Sequence, residues 1–190
     1  MTQILSPTDL GLWRFGVGQY HKMISQGILD TDDNVELLEG WVVEKMPKNP
    51  PHSLANALTR AYFEGLGLDL LVRTQEPITL IHSEPEPDVV VAKGLLRDYA
   101  NRHPGAEDIV LLVEISDSTL ERDRVWKQRI YAQANIPVYW IVNLVDRQLE
   151  TYRFPKGEQY TLPQVYQLTQ IAEFVLEKKV CKVAVKDLMF

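Results

Sequence analysis

The chain has 190 residues, 45% of them hydrophobic and 24% charged, which is enough for one sizeable core and too little charge for wholesale disorder. Lys and Arg total 20 against 26 Asp and Glu, a formal net charge of −6. That balance argues against a coat or architectural protein held to nucleic acid by non-specific phosphate contacts, but not against an enzyme that meets it through a local patch and a metal.

The first residues lack a basic region followed by an apolar stretch, so no signal peptide is expected. In chain order, Ser6-Pro7-Thr8-Asp9 is a helix-start signal. The segment to about Ser25 reads as a helix weakened by Gly11, Gly16 and Gly18, and Asp30–Asn34 as a polar turn. Val35–Glu39, Gly40 and Trp41–Met46 read as a hairpin, and Pro47–Pro51 as a break. Leu54, Leu58, Tyr62 and Leu66 give His52–Leu66 helical spacing. Leu70–Arg73, Ile78–Ile81 and Pro87–Ala92 read as short strands, and Asp108–Ser116 as an apolar strand. Thr119–Ala134 reads as a helix with Thr119 at its N-cap, followed by strands at Pro137–Asn143 and Gln148–Phe154. Beyond these, Val183, Val185 and Leu188 suggest a short strand and a closing turn.

The order predicts a mixed α/β fold, a central sheet flanked by helices. One domain is expected over 1–190: an N-terminal helix and hairpin (6–46), a core of about 52–154 and a C-terminal extension (155–190). The apolar runs Ile109–Val113 and Val138–Val142 are too short to span a membrane, so a cytoplasmic location is expected. The lone Cys181 reads as a small core hydrophobe, and no Cys/His cluster has zinc-site spacing.

Glu114 is the most informative residue, because it lies inside Ile109-Val110-Leu111-Leu112-Val113-Glu114-Ile115, a run typical of a strand covered on both faces. An unpaired carboxylate buried there costs several kcal/mol. It calls for a metal, a cation, or an opening at the strand's end, and simple solvation beside Ser116-Asp117 stays open. In Glu84-Pro85-Glu86-Pro87-Asp88-Val89 an acid again leads an apolar strand, and alternation puts Glu86 and Asp88 on one face. Carboxylates on neighbouring strands repel unless a cation such as Mg²⁺, which takes one or two of them plus waters and phosphates, lies between. Asp123 and Lys127 are four apart on the following helix; they are either a surface pair or a face turned toward the carboxylates.

Together these features resemble nucleases of the PD-(D/E)XK superfamily, and within it the Uma-type restriction-endonuclease family, formerly a domain of unknown function. The resemblance rests on Val35-Glu36-Leu37-Leu38-Glu39-Gly40, Pro51-His52-Ser53, Pro87-Asp88-Val89 and Leu112-Val113-Glu114-Ile115-Ser116. It continues through Asp123, Lys127, Tyr131-Ala132 and Ile136-Pro137-Val138-Tyr139-Trp140-Ile141-Val142. Ser116 stands where the superfamily motif has Lys, and the resemblance implies that Lys127 supplies that charge from the helix.

The resemblance implies a metal-dependent endonuclease hydrolysing phosphodiester bonds, with DNA as the expected substrate. Asp88, Glu114 and Lys127 would be catalytic, with Mg²⁺ or Mn²⁺ held by Asp88, Glu114 and the Ile115 carbonyl. Asp123 would steady Lys127, Glu36, His52 and Glu86 would support the site, and a homodimer is expected. Lys93, Arg97, Arg102, Arg122, Arg124 and Arg129 are candidates for a local phosphate-binding face on an acidic body. Trp126, Tyr131, Tyr139 and Trp140 read as core or dimer contacts rather than base-stacking platforms. Rival readings are a non-catalytic nucleic-acid- or protein-binding module, a hydrolase acting on another substrate, and a dimeric scaffold without chemistry. The sequence has no Gly-rich phosphate loop, Gly-x-Ser-x-Gly or His-Glu-x-x-His motif.

Overall fold

The computed structural model describes residues 11–30 and 32–189. Helix α1 (Val17–Ser25) leads into a hairpin of β1 (Val35–Leu38) and β2 (Trp41–Glu44), joined by the two-residue turn Glu39-Gly40. The helix-start signal at Ser6–Asp9 lies outside the described residues, and α1 begins only at Val17, beyond Gly11 and Gly16.

Helix α2 (Pro50–Gly65) begins earlier than the proline-rich stretch suggests. Pro50 and Pro51 occupy its first turn, where a missing N–H costs nothing, and the Asn49 side chain caps it by accepting from the His52 amide at 3.0 Å. Its buried face is His52, Ala55, Asn56, Thr59 and Phe63, one step round from the stripe read in the sequence; Leu54 is exposed.

The central sheet has six strands in the order β3 (Leu71–Thr74), β4 (Val89–Ala92), β5 (Ile109–Ser116), β6 (Val138–Asn143), β7 (Gln148–Lys156) and β8 (Gln159–Gln167). Only β5 and β6 run parallel. Their crossover carries the helical segment α3 (Leu120–Arg122), a π-helical turn (Asp123–Lys127) and α4 (Gln128–Gln133). The sheet is thus mixed, and the arrangement is the expected α/β one, a central sheet flanked by helices.

Ile78–Ile81 is not a strand. The Ile78 and Leu80 amides bond the nearby Pro85 and Ser83 carbonyls and the Thr79 amide bonds the Pro104 carbonyl, none of which belongs to a strand. Thr119 does not cap the backbone: its hydroxyl bonds the Asp123 side chain at 2.6 Å. The C-terminal region forms three strands, β8 and the hairpin β9 (Ile171–Leu176)–β10 (Lys179–Ala184).

Two apolar layers cover the sheet. On one face, Leu111, Val113, Ile115 and Trp140 pack with Phe63 of α2 and with Phe174, Leu176 and Val183 of the C-terminal hairpin. On the other, Leu112 and Ile141 pack with Ile130, Tyr131 and Ile136 from the crossover. Alternation places Glu114 and Ser116 on the same face as Leu112, under the crossover helix.

Candidate active site

Where β4 begins and β5 ends, four acids and one lysine meet inside the protein. Glu36, Asp88, Glu114, Asp123 and Lys127 expose only 1%, 7%, 3%, 2% and 5% of their surface. They arrive by four routes. Glu36 points inward from the hairpin, Asp88 stands just before β4, Glu114 lies within β5, and Asp123 and Lys127 bound the π-turn.

The Lys127 ammonium lies 3.1 Å from Glu114 Oε1 and 3.3 Å from Glu36 Oε2. Burial disfavours the ammonium, but Glu114, Glu36, Asp123 and Asp88 together outweigh it and hold Lys127 above the ordinary lysine value. Glu114 also accepts from the Tyr131 hydroxyl at 2.6 Å. Burial pushes its carboxyl well above the usual range, with Lys127 opposing and Asp123, Asp88 and Glu36 adding to the push. Asp88 accepts from the Ile115 amide at 2.8 Å, and His52 Nε2 is 3.2 Å from the same oxygen, Oδ2. Burial works against the His52 imidazolium, but the Asp88 hydrogen bond and charge overcome it and raise His52.

Asp123 does not form an ion pair with Lys127. Its Oδ2 accepts from Ser116 at 2.7 Å and from Thr119 at 2.6 Å, while burial, its largest influence, raises its pKa. Ser116, at the position of the superfamily lysine, therefore anchors the helix instead of supplying charge. Glu86 sits at the rim, paired with Lys45 at 2.6 Å, and its amide donates to Glu36 at 3.2 Å.

All eight expected site residues, Glu36, His52, Glu86, Asp88, Glu114, Ile115, Asp123 and Lys127, line one cleft. Its free space of about 60 Å³ admits waters and an ion but no base. Wider depressions lie elsewhere, about 530 Å³ beside Gly40 and about 880 Å³ beside α1, but the buried charges converge on the tighter cleft.

The expected basic face is dispersed. Arg102 pairs with Asp108, Arg124 with Glu150 and Asp146, and Arg129 with Glu39, while the Lys93 ammonium bonds the Glu107 carbonyl. Of those six, only Arg122 lines the cleft, joined by Lys45 and Lys48 from the segment after the hairpin. The sequence reading did not single out either lysine, the turn residues Pro47 and Asn49 beside them being the only local signal, and it took Tyr131 as a core or dimer contact rather than a donor to Glu114.

Among the described residues, no three His, Cys, Asp or Glu side chains are already arranged around one point as a metal cage. The donor set nevertheless suits a hard divalent ion that keeps most of its waters: oxygen atoms only, and an excess of buried carboxylate over ammonium at one cleft. Asp88 and Glu114 are the two candidate ligands lining it from adjacent strands.

The mixed sheet flanked by helices thus carries an Asp at one strand's entry, a buried Glu on the next and a lysine on the crossover helix. The chain belongs to the Uma2 family, described as "Putative restriction endonuclease", whose model matches residues 17–179. Its fold is similar to a crystal structure of a "putative nuclease belonging to DUF820" from Anabaena variabilis. The TM-score is 0.72 at 14% identity, over 92% of this chain and 97% of that one. No curated protein matches.

Proposed function

We propose that this chain is an endonuclease hydrolysing phosphodiester bonds in nucleic acid, with DNA the expected substrate and Mg²⁺ or Mn²⁺ the expected cofactor. The observation that carries the reading is the helix-borne Lys127, charged and buried between Glu36 and Glu114 beside Asp88. Asp88, Glu114 and the Ile115 carbonyl would hold the ion. When bound, the ion would make a water more acidic and neutralise phosphate charge.

The chain's own residues do the rest. Tyr131 fixes the Glu114 carboxyl and His52 fixes that of Asp88. Lys127 supplies a permanent positive charge to orient hydroxide or balance a crowded phosphate. Ser116 and Thr119 tether Asp123 and so the start of the π-turn. Lys45, Lys48 and Arg122 at the mouth suit a phosphate backbone. On the family reading the protein works as a homodimer in the cytoplasm; light scattering of the purified protein reads its mass.

The test is cleavage of supercoiled plasmid and single-stranded DNA with Mg²⁺, Mn²⁺ or chelator. Wild type should cut only with metal, and Lys127→Met, Glu114→Gln and Asp88→Asn should each lose about 100-fold or more. Cutting that survives all three would refute the site. A second reading, a binding module without chemistry, is favoured by the closed Lys127–Glu114–Glu36 contact. It predicts no cutting by wild type and retained DNA binding.

A further inference from the structure

The turn of the β1–β2 hairpin carries an unexplained cost. Leu38 pairs with Trp41, leaving Glu39 and Gly40 as the two central residues, and both have positive φ, +48° and +84°. That is the mirror-image turn in which Asn-Gly, Asp-Gly or Gly-Gly is favoured, and a long side chain at its first position is strained. Gly40 is dictated by close approach, since a Cβ there would lie 2.7 Å from Arg14 Cβ. Nothing in the turn dictates a glutamate.

The Glu39 carboxylate does, however, reach the crossover helix. It accepts from Trp126 Nε1 at 2.9 Å and from Arg129 Nε and Nη2 at 3.1 and 2.5 Å. Those donors stand on either side of Lys127. Three residues earlier, on β1, Glu36 takes Lys127 itself. The hairpin therefore grips residues 126, 127 and 129, at the end of the π-turn and the start of α4. Its own place is fixed by the Leu37–Glu84 bridge, by the Glu39 amide donating to Ser83 Oγ at 2.8 Å and by the Gly40 amide donating to the His82 carbonyl at 2.9 Å. A π-turn holds one residue more than an α-turn, so the direction in which Lys127 points depends on that extra residue being retained.

We propose that Glu39 is a positioning residue for Lys127, clamping Trp126 and Arg129 so that the π-turn delivers the ammonium to Glu36 and Glu114. The catalytic meaning of the clamp rests on the nuclease reading above; the clamp itself does not.

The test uses Glu39→Gly, which relieves the turn and removes the clamp, and Glu39→Gln, which keeps an acceptor but loses the charge. Lysine acetylation is mapped by mass spectrometry, with the exposed Lys93 and Lys186 and maleimide labelling of the buried Cys181 as references. Lys127 should react about tenfold faster in Glu39→Gly and by a smaller factor in Glu39→Gln, with the three references unchanged. In plasmid cleavage, Glu39→Gly should lose about tenfold or more in kcat at constant KM, and that loss should vanish in a Lys127→Met background. Unchanged Lys127 labelling in both variants overturns the proposal. So does acceleration of Cys181 equal to that of Lys127, which marks general loosening, and so does a kcat loss that persists without Lys127. If wild type cuts nothing, the nuclease reading falls while the labelling still decides the clamp.

Discussion

A lysine surrounded by carboxylates is costly to remove. Lys127 touches Glu114 and Glu36 in a region closed to solvent, and deleting one partner of such a contact typically costs about 3–5 kcal/mol. Lys127→Met should therefore destabilise the protein by about that much at pH 8. The loss should shrink toward pH 5. Glu114 is already held well above its ordinary value of 4.5 by burial, and without the ammonium it rises further. An acid whose folded value is raised costs stability as pH climbs above the unfolded value, so the variant is worst where Glu114 must ionise. Urea denaturation at pH 5 and pH 8 reads the difference; equal losses would show that Glu114 does not take up the proton.

At this scale the sequence was legible where a residue broke a pattern. Glu114 within an apolar strand, Asp88 at a strand entry and Lys127 four residues after Asp123 all line one cleft. The Ser116–Asp123–Thr119 bonds and the reach of Tyr131 to Glu114 were not legible, because each looks ordinary in its own segment and acquires meaning only from a neighbour elsewhere in the chain.

Among elements, the crossover helix is bound to the sheet by a second polar cluster. Arg124, within the π-turn, bonds both oxygens of Glu150 on β7, at 3.0 and 2.5 Å. Asn143, Gln148 and Tyr152 bond the same carboxylate. Burial would raise Glu150, but these donors outweigh it and hold it at about 2 against an ordinary 4.5. A depressed acid contributes stability above its unfolded value and loses it as pH falls through the folded one. The contribution, on the order of a few kcal/mol at most, should therefore disappear between about pH 4.5 and pH 2. Glu150→Gln should be less stable at neutral pH and show a flatter acid limb in thermal denaturation; an unchanged limb would assign acid sensitivity elsewhere.

Elements were readable where pattern and partners agreed, as in β1, β2, β5 and β6. β9 was not. Its buried positions alternate as Ala172, Phe174 and Leu176, but two of the exposed ones are Ile171 and Val175, which erases the contrast that marks a half-buried strand. Pro163 similarly disguises β8, an edge strand that can lack an N–H without breaking a ladder.

Across the whole molecule, the C-terminal hairpin closes one face of the sheet rather than trailing from it. Phe174 stacks edge-on against Trp140 at 4.7 Å and approaches Phe63 of α2, so one side chain joins the last hairpin, the central sheet and a helix. Phe174→Ala should cost about 3–5 kcal/mol in chemical denaturation, and loss of the Trp140 environment should register in near-ultraviolet circular dichroism. A loss below about 1 kcal/mol would mean the hairpin is peripheral. Among the described residues no helix is long and apolar enough to cross a membrane.

The hairpin's hold on the crossover helix also bears on the order of assembly. Glu36 meets Lys127 and Glu39 meets Arg129 across about ninety residues of chain, so neither contact forms before the intervening segment has collapsed. During synthesis Glu36, Glu39 and Asp88 emerge well before the helix that meets them. Until that helix docks they are free to stay hydrated, and the cleft does not yet exist. The same long-range closure that keeps the centre out of any contiguous motif makes its assembly wait on the docking of the crossover helix.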